Sequence, residues 1–347
     1  MLLRRTMLIL ASTPLVIDSM LATSFASIDA KSAERSLPAT VLLGGGGARG
    51  LAHLGAMRAI GESGIHVERI IGVSMGALMA SLFAVHRNVD MAEAESRRFL
   101  NSPACDRLQR QVLGVACDPE SETSRPRGNR RGKLRNFMWV QTLLFRAARQ
   151  PSILPDSVLR CIIDNLLPDV GIEDLSTPLH LLAVDVQTGQ RVCLSRGSLR
   201  EAVRCSMSIP GVFPAVNRGT AQLADLGVYD AVPCDLARQI ISQNGAGDGS
   251  KTSRLIVVDV GRSTSSFPNC RTAIESVLRF QELAEQQMRD FQLASADLVI
   301  RPQFGSTPWF DFSLPDRLIE SGYSAATDCF AKIDSRFSCA RKPKRVV

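Results

Sequence analysis

Residues 40–81 read TVLLGGGGARGLAHLGAMRAIGESGIHVERIIGVSMGALMAS. The stretch holds two glycine-rich turns, each following a short apolar run and each opening a helical pattern. The first is Gly44-Gly45-Gly46-Gly47-Ala48-Arg49-Gly50 and the second is Gly72-Val73-Ser74-Met75-Gly76. A G-x-S-x-G between a strand and a helix is the signature of a nucleophile elbow, in which a serine on a tight turn stands clear of the sheet. Gly72 and Gly76 let the strand and the helix approach closely. Residues 68–71 lead in as a strand and 77–83 continue as an apolar helix, so the motif has the context it requires. Ser74 is therefore read as a nucleophile and the first glycine turn as its oxyanion hole. The donors would be the backbone N–H groups of Gly45, Gly46 and Gly47, joined by that of Met75. Arg49 and Gly50 would order the loop.

The first turn has a rival reading. Gly45-x-Gly47-x-x-Gly50 between strand and helix matches the dinucleotide fingerprint in form. Such a site wants an acidic residue at the end of the second strand, whereas Glu68 precedes that strand. A phosphate loop of the G-x-x-x-x-G-K-[ST] type fails because no lysine follows the glycines. What remains is a set of backbone N–H groups at a helix N-terminus, which suits an anion. The oxyanion of an attacked carbonyl is such an anion.

Further along, helical patterns run from Ser74 to about Arg87 and over 91–100. Residues 179–186 form an apolar strand that turns at Thr188-Gly189-Gln190 into 191–194, a hairpin. Ser198 caps a short helix with Glu201 three residues on. Residues 242–253, SQNGAGDGSKTS, are a polar surface loop. A buried strand follows at 255–260, a long amphipathic helix at 272–295 and a last strand at 298–300. Repeated strand–helix alternation implies a largely parallel sheet covered by helices.

VLLGGGGARGLAHLGAMRAI followed by GVSMGAL resembles the patatin-like phospholipases. The resemblance continues in SMSIPGVFP at 206–214, where Pro210 and Pro214 would stiffen a loop lining the pocket, and in ADLGVYDAVP at 224–233. It spans roughly 38–330, and its motifs fall in the family's order. It implies an α/β fold with a largely parallel central sheet flanked by helices, and hydrolysis of lipid acyl esters without a metal or other cofactor. It also implies a catalytic aspartate in an Asp-Gly-Gly or Asp-Gly-Ala triplet. Here the triplet is Asp225-Leu226-Gly227, and a leucine in the middle would strain the turn if its φ were positive. Asp230 is a competing carboxylate, but only Asp225 matches the motif and precedes a glycine turn.

The histidines bear on the same point. The four are His53, His66, His86 and His180. A hydrolase triad in the order serine, acid, histidine cannot use Asp225, because every histidine precedes it. Asp164 with His180 keeps the order, but His180 begins a buried strand. His53 reads as a packed helix residue beside the glycine turn. A Ser74–Asp225 dyad emerges, in agreement with the resemblance. A carboxylate is a weak base in water. It must lie against the hydroxyl in a water-poor pocket whose fixed donors share the developing charge.

Composition sets the remaining bounds. The 347 residues are 45% hydrophobic and 22% charged, values of an ordinary globular chain. The formal charge of +7 is too moderate to signify without clustering, and nucleic acid is not expected as a partner. Residues 1–37 form a signal-like or anchor segment. Arg4 and Arg5 precede an apolar run from Met7 to Ile17, broken by Pro14 and Asp18. Export or membrane association through that segment is one expectation, a cytoplasmic peripheral membrane protein the other. Nine cysteines include no C-x-x-C pair, so a zinc site is not expected. Cys193 and Cys205 read as buried thiols. In an exported protein Cys329 and Cys339 would be the loosest pair. The hydrolase domain is placed at 38–330, with a variable insert at about 101–150 and a basic tail at 331–347. Within the insert, Arg125, Arg127, Arg130, Arg131, Lys133 and Arg135 form a basic run. Phe137, Met138, Trp139, Leu143, Leu144 and Phe145 follow it directly. The run is either a solvated insert or, with those residues, a surface for docking on anionic membrane.

The functional expectation is a serine acyl hydrolase acting on phospholipid or lysophospholipid at a membrane surface. A carboxylesterase or lipase on neutral esters is one alternative. A weakly active lipid-binding scaffold, motivated by Leu226, is another.

Overall fold

The computed structural model describes residues 38–105, 107, 149–244, 253–261, 270–305 and 307–339. The N-terminal segment 1–37, the basic run 125–135, the apolar cluster 137–145 and most of the polar loop 242–253 lie outside the described residues.

The chain begins with β1 (Ala39–Leu43), a 3-10 turn at Gly47–Leu51 and α1 (Ala52–Glu62). Then come β2 (Val67–Val73), α2 (Met75–His86) and α3 (Val89–Leu100). After the insert follow α4 (Asp156–Leu166), β3 (Leu179–Asp185), β4 (Arg191–Leu194) and α5 (Leu199–Met207). Next are β5 (Val216–Arg218), β6 (Ala221–Asp225), a 3-10 turn at Leu226–Val228 and α6 (Cys234–Asn244). The last elements are β7 (Arg254–Val258), α7 (Ala273–Leu293), β8 (Leu298–Ile300) and α8 (Pro315–Cys339). The last helix thus continues past Phe330. Among the described residues no helix is long and apolar enough to cross a membrane.

The strands form one eight-stranded sheet. Strands β3, β2, β1, β7 and β8 run parallel, as expected from the strand–helix alternation, while β4, β5 and β6 join antiparallel. All five residues of β1 are buried, because a central strand in a parallel sheet is covered on both faces. Alternation divides its side chains between two layers. Val41 and Leu43 face the layer of α1, α2, α5 and α8, and Leu42 faces that of α6. Helix α2 is buried from Met75 to Ala84. It is apolar on all sides because it is enclosed on all sides.

The pairing of β3 places the site. Its residues Leu181–Val184 pair with β4 on one edge, in the hairpin read from the sequence. Its other edge is therefore shared. Leu179 to Leu182 pair with β2, and Ala183 to Asp185 pair with β6. Val73 lies opposite Leu182 and Asp225 lies opposite Ala183, the next residue of the same strand. The end of β2 and the end of β6 thus meet head-on along β3, and the residues at those ends become neighbours.

Two cysteine expectations are corrected. Cys193 is exposed on the edge strand β4, although Cys205 is buried. Cys329 and Cys339 both fall on α8, ten residues apart. A helix separates such residues by about 15 Å, which a disulfide cannot span.

Candidate active site

Ser74 sits between β2 and α2 with φ 56° and ψ −127°. This is a strained conformation for a residue with a side chain, and the surroundings hold it. The Ser74 N–H donates to Ser206 Oγ at 3.0 Å, and the Ser206 hydroxyl donates to the Leu182 carbonyl at 2.6 Å. Ser206, on the last turn of α5, is fully buried. Close approach at the elbow depends on Gly76, where an added Cβ would lie 2.1 Å from the Leu43 carbonyl oxygen. Gly72 and Gly50 sit against Ala77 and Met75.

The Ser74 hydroxyl donates to Asp225 Oδ2 at 2.5 Å. The other carboxylate oxygen accepts from the Gly227 N–H at 2.7 Å, and the Asp225 N–H donates to the Ser208 carbonyl at 2.9 Å. Burial pushes the Asp225 carboxyl up to about 7, and the hydrogen bonds from Ser74 and Gly227 oppose that rise. The strain expected at Leu226 is absent. Among the described residues only Ser74 and Arg87 combine a side chain with positive φ. Leu226 opens a 3-10 turn and buries its side chain completely beside Val73 and Val232.

The other candidate bases are placed elsewhere. Asp230 accepts from Arg191 at 3.0 Å. His180 lies two residues before Leu182 on β3, and burial, with the charge of Arg69 adding to it, lowers its imidazole to about 4. His53 is fully buried on α1, and burial holds it neutral with a value lowered to about 4. Its Nε2–H then donates to the Gly44 carbonyl at 2.9 Å.

The first glycine turn wraps the other side of Ser74. Gly45, Gly46, Gly47 and Arg49 line a cleft of about 270 Å³ together with Ser74, Asp225 and Gly227. One expected donor drops out: the Gly45 N–H donates to the Ala231 carbonyl at 3.0 Å. Among the described residues no acceptor takes the N–H of Gly46, Gly47 or Met75. Gly47 has φ +58°, and an added Cβ there would lie 2.2 Å from the Trp309 carbonyl oxygen. The donors that fit an oxyanion are therefore Gly46, Gly47 and the first N–H groups of α2.

Ser74 also borders a second, strongly apolar cavity of about 220 Å³. Its walls include Leu78, Phe99, Val158, Leu159, Met207 and Phe213. Ile209 and Trp309 line both spaces, and Pro210 lines the cleft, as the stiffened loop implied. The sequence reading missed Ser206, Trp309 and the cleft-facing Gln281 and Glu285 of α7. The only available signal was the aromatic pair Trp309-Phe310 outside any helical pattern. The described residues contain no cluster of histidine, cysteine and carboxylate side chains fit to hold a metal.

Comparison with known proteins gives consistent relatives. An uncharacterized NTE family protein of Mycobacterium bovis is 26% identical over 320 residues, covering 87% of this chain and 48% of that protein. Patatin-like phospholipase domain-containing protein 7 of Mus musculus is 28% identical over 317 residues, covering 84% of this chain and 20% of the mouse protein. The chain thus spans about half the length of the mycobacterial relative and a fifth of the mouse one. Among solved structures, VipD from Legionella pneumophila aligns with TM-score 0.41 at 14% identity, covering 85% of this chain and 67% of that one. The ExoU–SpcU complex of Pseudomonas aeruginosa aligns at 0.42 and 18%, covering 86% and 52%. The family profile for patatin-like phospholipases matches residues 41–238, a span running from β1 through both catalytic candidates into α6. With an elbow serine and an aspartate joined inside that span, this chain belongs to the patatin-like phospholipase family.

Proposed function

We propose that this protein is a serine acyl hydrolase that releases fatty acid from phospholipid or lysophospholipid, with Ser74 as nucleophile and Asp225 as its base. One observation carries the reading. The hydrogen-bonded Ser74–Asp225 pair stands where a polar cleft meets an apolar cavity. A lipid ester has the same two-sided character about its carbonyl. The acyl chain fits the apolar cavity and the headgroup fits the cleft beside Arg49, Gln281 and Glu285.

In the forward step ionised Asp225 accepts the Ser74 proton as Oγ bonds to the carbonyl carbon. The oxyanion receives hydrogen bonds from Gly46, Gly47 and Met75 N–H, aided by the positive end of α2. The ester C–O bond breaks, the leaving alkoxide takes the proton from Asp225, and an acyl-serine remains. Water then attacks that acyl group, giving its proton to Asp225. Collapse expels Ser74, which is reprotonated, and the fatty acid departs.

The relatives' names support a lipid substrate, and the polar lining of the cleft favours a headgroup over a neutral ester. A fluorophosphonate probe followed by peptide mapping should label Ser74, and Ser74→Ala should lose both the label and fatty-acid release from lysophospholipid. Full hydrolysis by Ser74→Ala, or a label on another serine, would remove Ser74 from the reaction. Faster turnover of triglyceride than of phospholipid would move the substrate to neutral esters.

A further inference from the structure

Helix α7 carries an exposed apolar stripe. Val277, Phe280, Ala284, Met288 and Phe291 recur at the spacing of one helical face, and all five are exposed. Val277 is 68% exposed, Phe280 73% and Phe291 75%. From first to last the stripe is about 21 Å long. Toward the body the helix is held at its C-terminal end, where Leu293 is buried in the core beside α6. Arg289 is buried beside Asp259, and Gln292 is buried with its amide oxygen accepting from the Asp235 N–H. The described residues of α7 before Arg289 include no buried one. The helix is thus anchored at its C-terminal end, and its middle borders the cleft through Gln281 and Glu285 while the apolar stripe faces outward.

We infer that this stripe is the surface by which the enzyme docks on lipid, laying α7 along an uncharged or zwitterionic membrane beside the mouth of the catalytic cleft. The inference rests on the lipid substrate proposed above. Its occupant follows from position. The same helix walls the cleft with Gln281 and Glu285. Trp309, 44% exposed, belongs to both the cleft and the apolar cavity. A lipid rising from a membrane in contact with the stripe enters at Trp309 with its chain already shielded from water. Charge selects the kind of membrane. Helix α7 carries the acidic residues Glu275, Glu282, Glu285 and Asp290 against the basic Arg279 and Arg289, so nothing on it attracts anionic lipid. Binding through burial of apolar surface is insensitive to salt, unlike binding through a basic run.

The test is co-sedimentation of the full chain with phosphatidylcholine vesicles at low and high salt, using the parent, Ser74→Ala and the triple variant Val277→Ser, Phe280→Ser, Phe291→Ser. The parent and Ser74→Ala should bind equally at both salt concentrations, and the triple variant should partition about 100-fold less. Turnover of a short, soluble nitrophenyl ester should stay within about twofold in the triple variant, because none of the three residues lines the cleft. Equal binding by parent and triple variant overturns the inference. So does binding that collapses at high salt, and so does a dimer that the substitutions dissociate, which would assign the stripe to a second copy. Loss of vesicle binding in the triple variant of a protein whose parent hydrolyses no ester would leave the docking surface standing and remove the proposed chemistry.

Discussion

Above pH 7 the Asp225 carboxylate is ionised at a position where burial disfavours charge. Its folded value is raised from 3.8 to about 7. The folded state therefore holds a proton that the unfolded state has released, and stability falls as pH climbs between those two values. Asp225→Asn has no such titration. The variant should match the parent's pH trend below pH 4 and gain on it above pH 7 by up to about 4 kcal/mol, read as melting temperatures at the two pH values. Activity runs the other way, because only the ionised form accepts the Ser74 proton. For the parent, kcat/KM should rise with a midpoint near pH 7 and level off above it, and the Asn variant should fall by about 10³-fold or more at every pH. Ser206→Ala addresses the strained elbow. It leaves the Ser74 N–H without its buried acceptor, and kcat should drop about 10–100-fold with KM nearly unchanged. An unchanged kcat would mean that Ser206 does not hold the nucleophile. Ser74 was legible because its glycine turn is local, and Asp225 because a family motif surrounds it. Ser206 was not. A serine near the end of an amphipathic helix looks like any other, and its partner lies 132 residues away.

Several strands and helices announced themselves through apolar runs and caps, but α4, β5, β6, α6 and α8 did not, nor did the direction in which β6 joins the sheet. Pairing sense has no local signature, so the meeting of β2 and β6 along β3 could be seen only in the folded chain. The same gap produced the wrong expectation at Leu226. A family glycine at that position suggested positive φ, yet Asp225 ends a strand and the next three residues form a 3-10 turn. The side chain fills space between β2 and α6. Leu226→Gly should therefore lower stability by about 3–5 kcal/mol in urea unfolding, through cavity formation and lost backbone restriction. Turnover per folded molecule should stay within about threefold. A stable and faster variant would restore the strain argument.

Across the whole molecule, one face of the sheet carries the apolar cavity proposed for the acyl chain, because α2, α4 and α5 pack there around it. Val158 on α4 is buried and lines it. Val158→Phe should shift chain-length preference toward shorter acyl groups, with long-chain kcat/KM down about tenfold and short-chain turnover within about twofold. A uniform loss at all lengths would place the chain elsewhere. The fold class and its parallel core were readable from alternating patterns, and so was the position of Ser74 at a strand-to-helix turn. The cavity was not, since its lining comes from segments scattered between Gly47 and Phe312.

The head-on meeting of β2 and β6 has a consequence for how the protein is made. Ser74 and Asp225 are 151 residues apart, and a ribosome extends the chain from the N-terminus at about 5–20 residues per second. For several seconds the emerging polypeptide carries the serine and its glycine turn but not Asp225. In the folded chain the aspartate is held beside the serine by the pairing of β6 with β3. If the pair acts as proposed, a chain whose β6 has not yet joined the sheet has the serine but lacks beside it the carboxylate that the reaction requires.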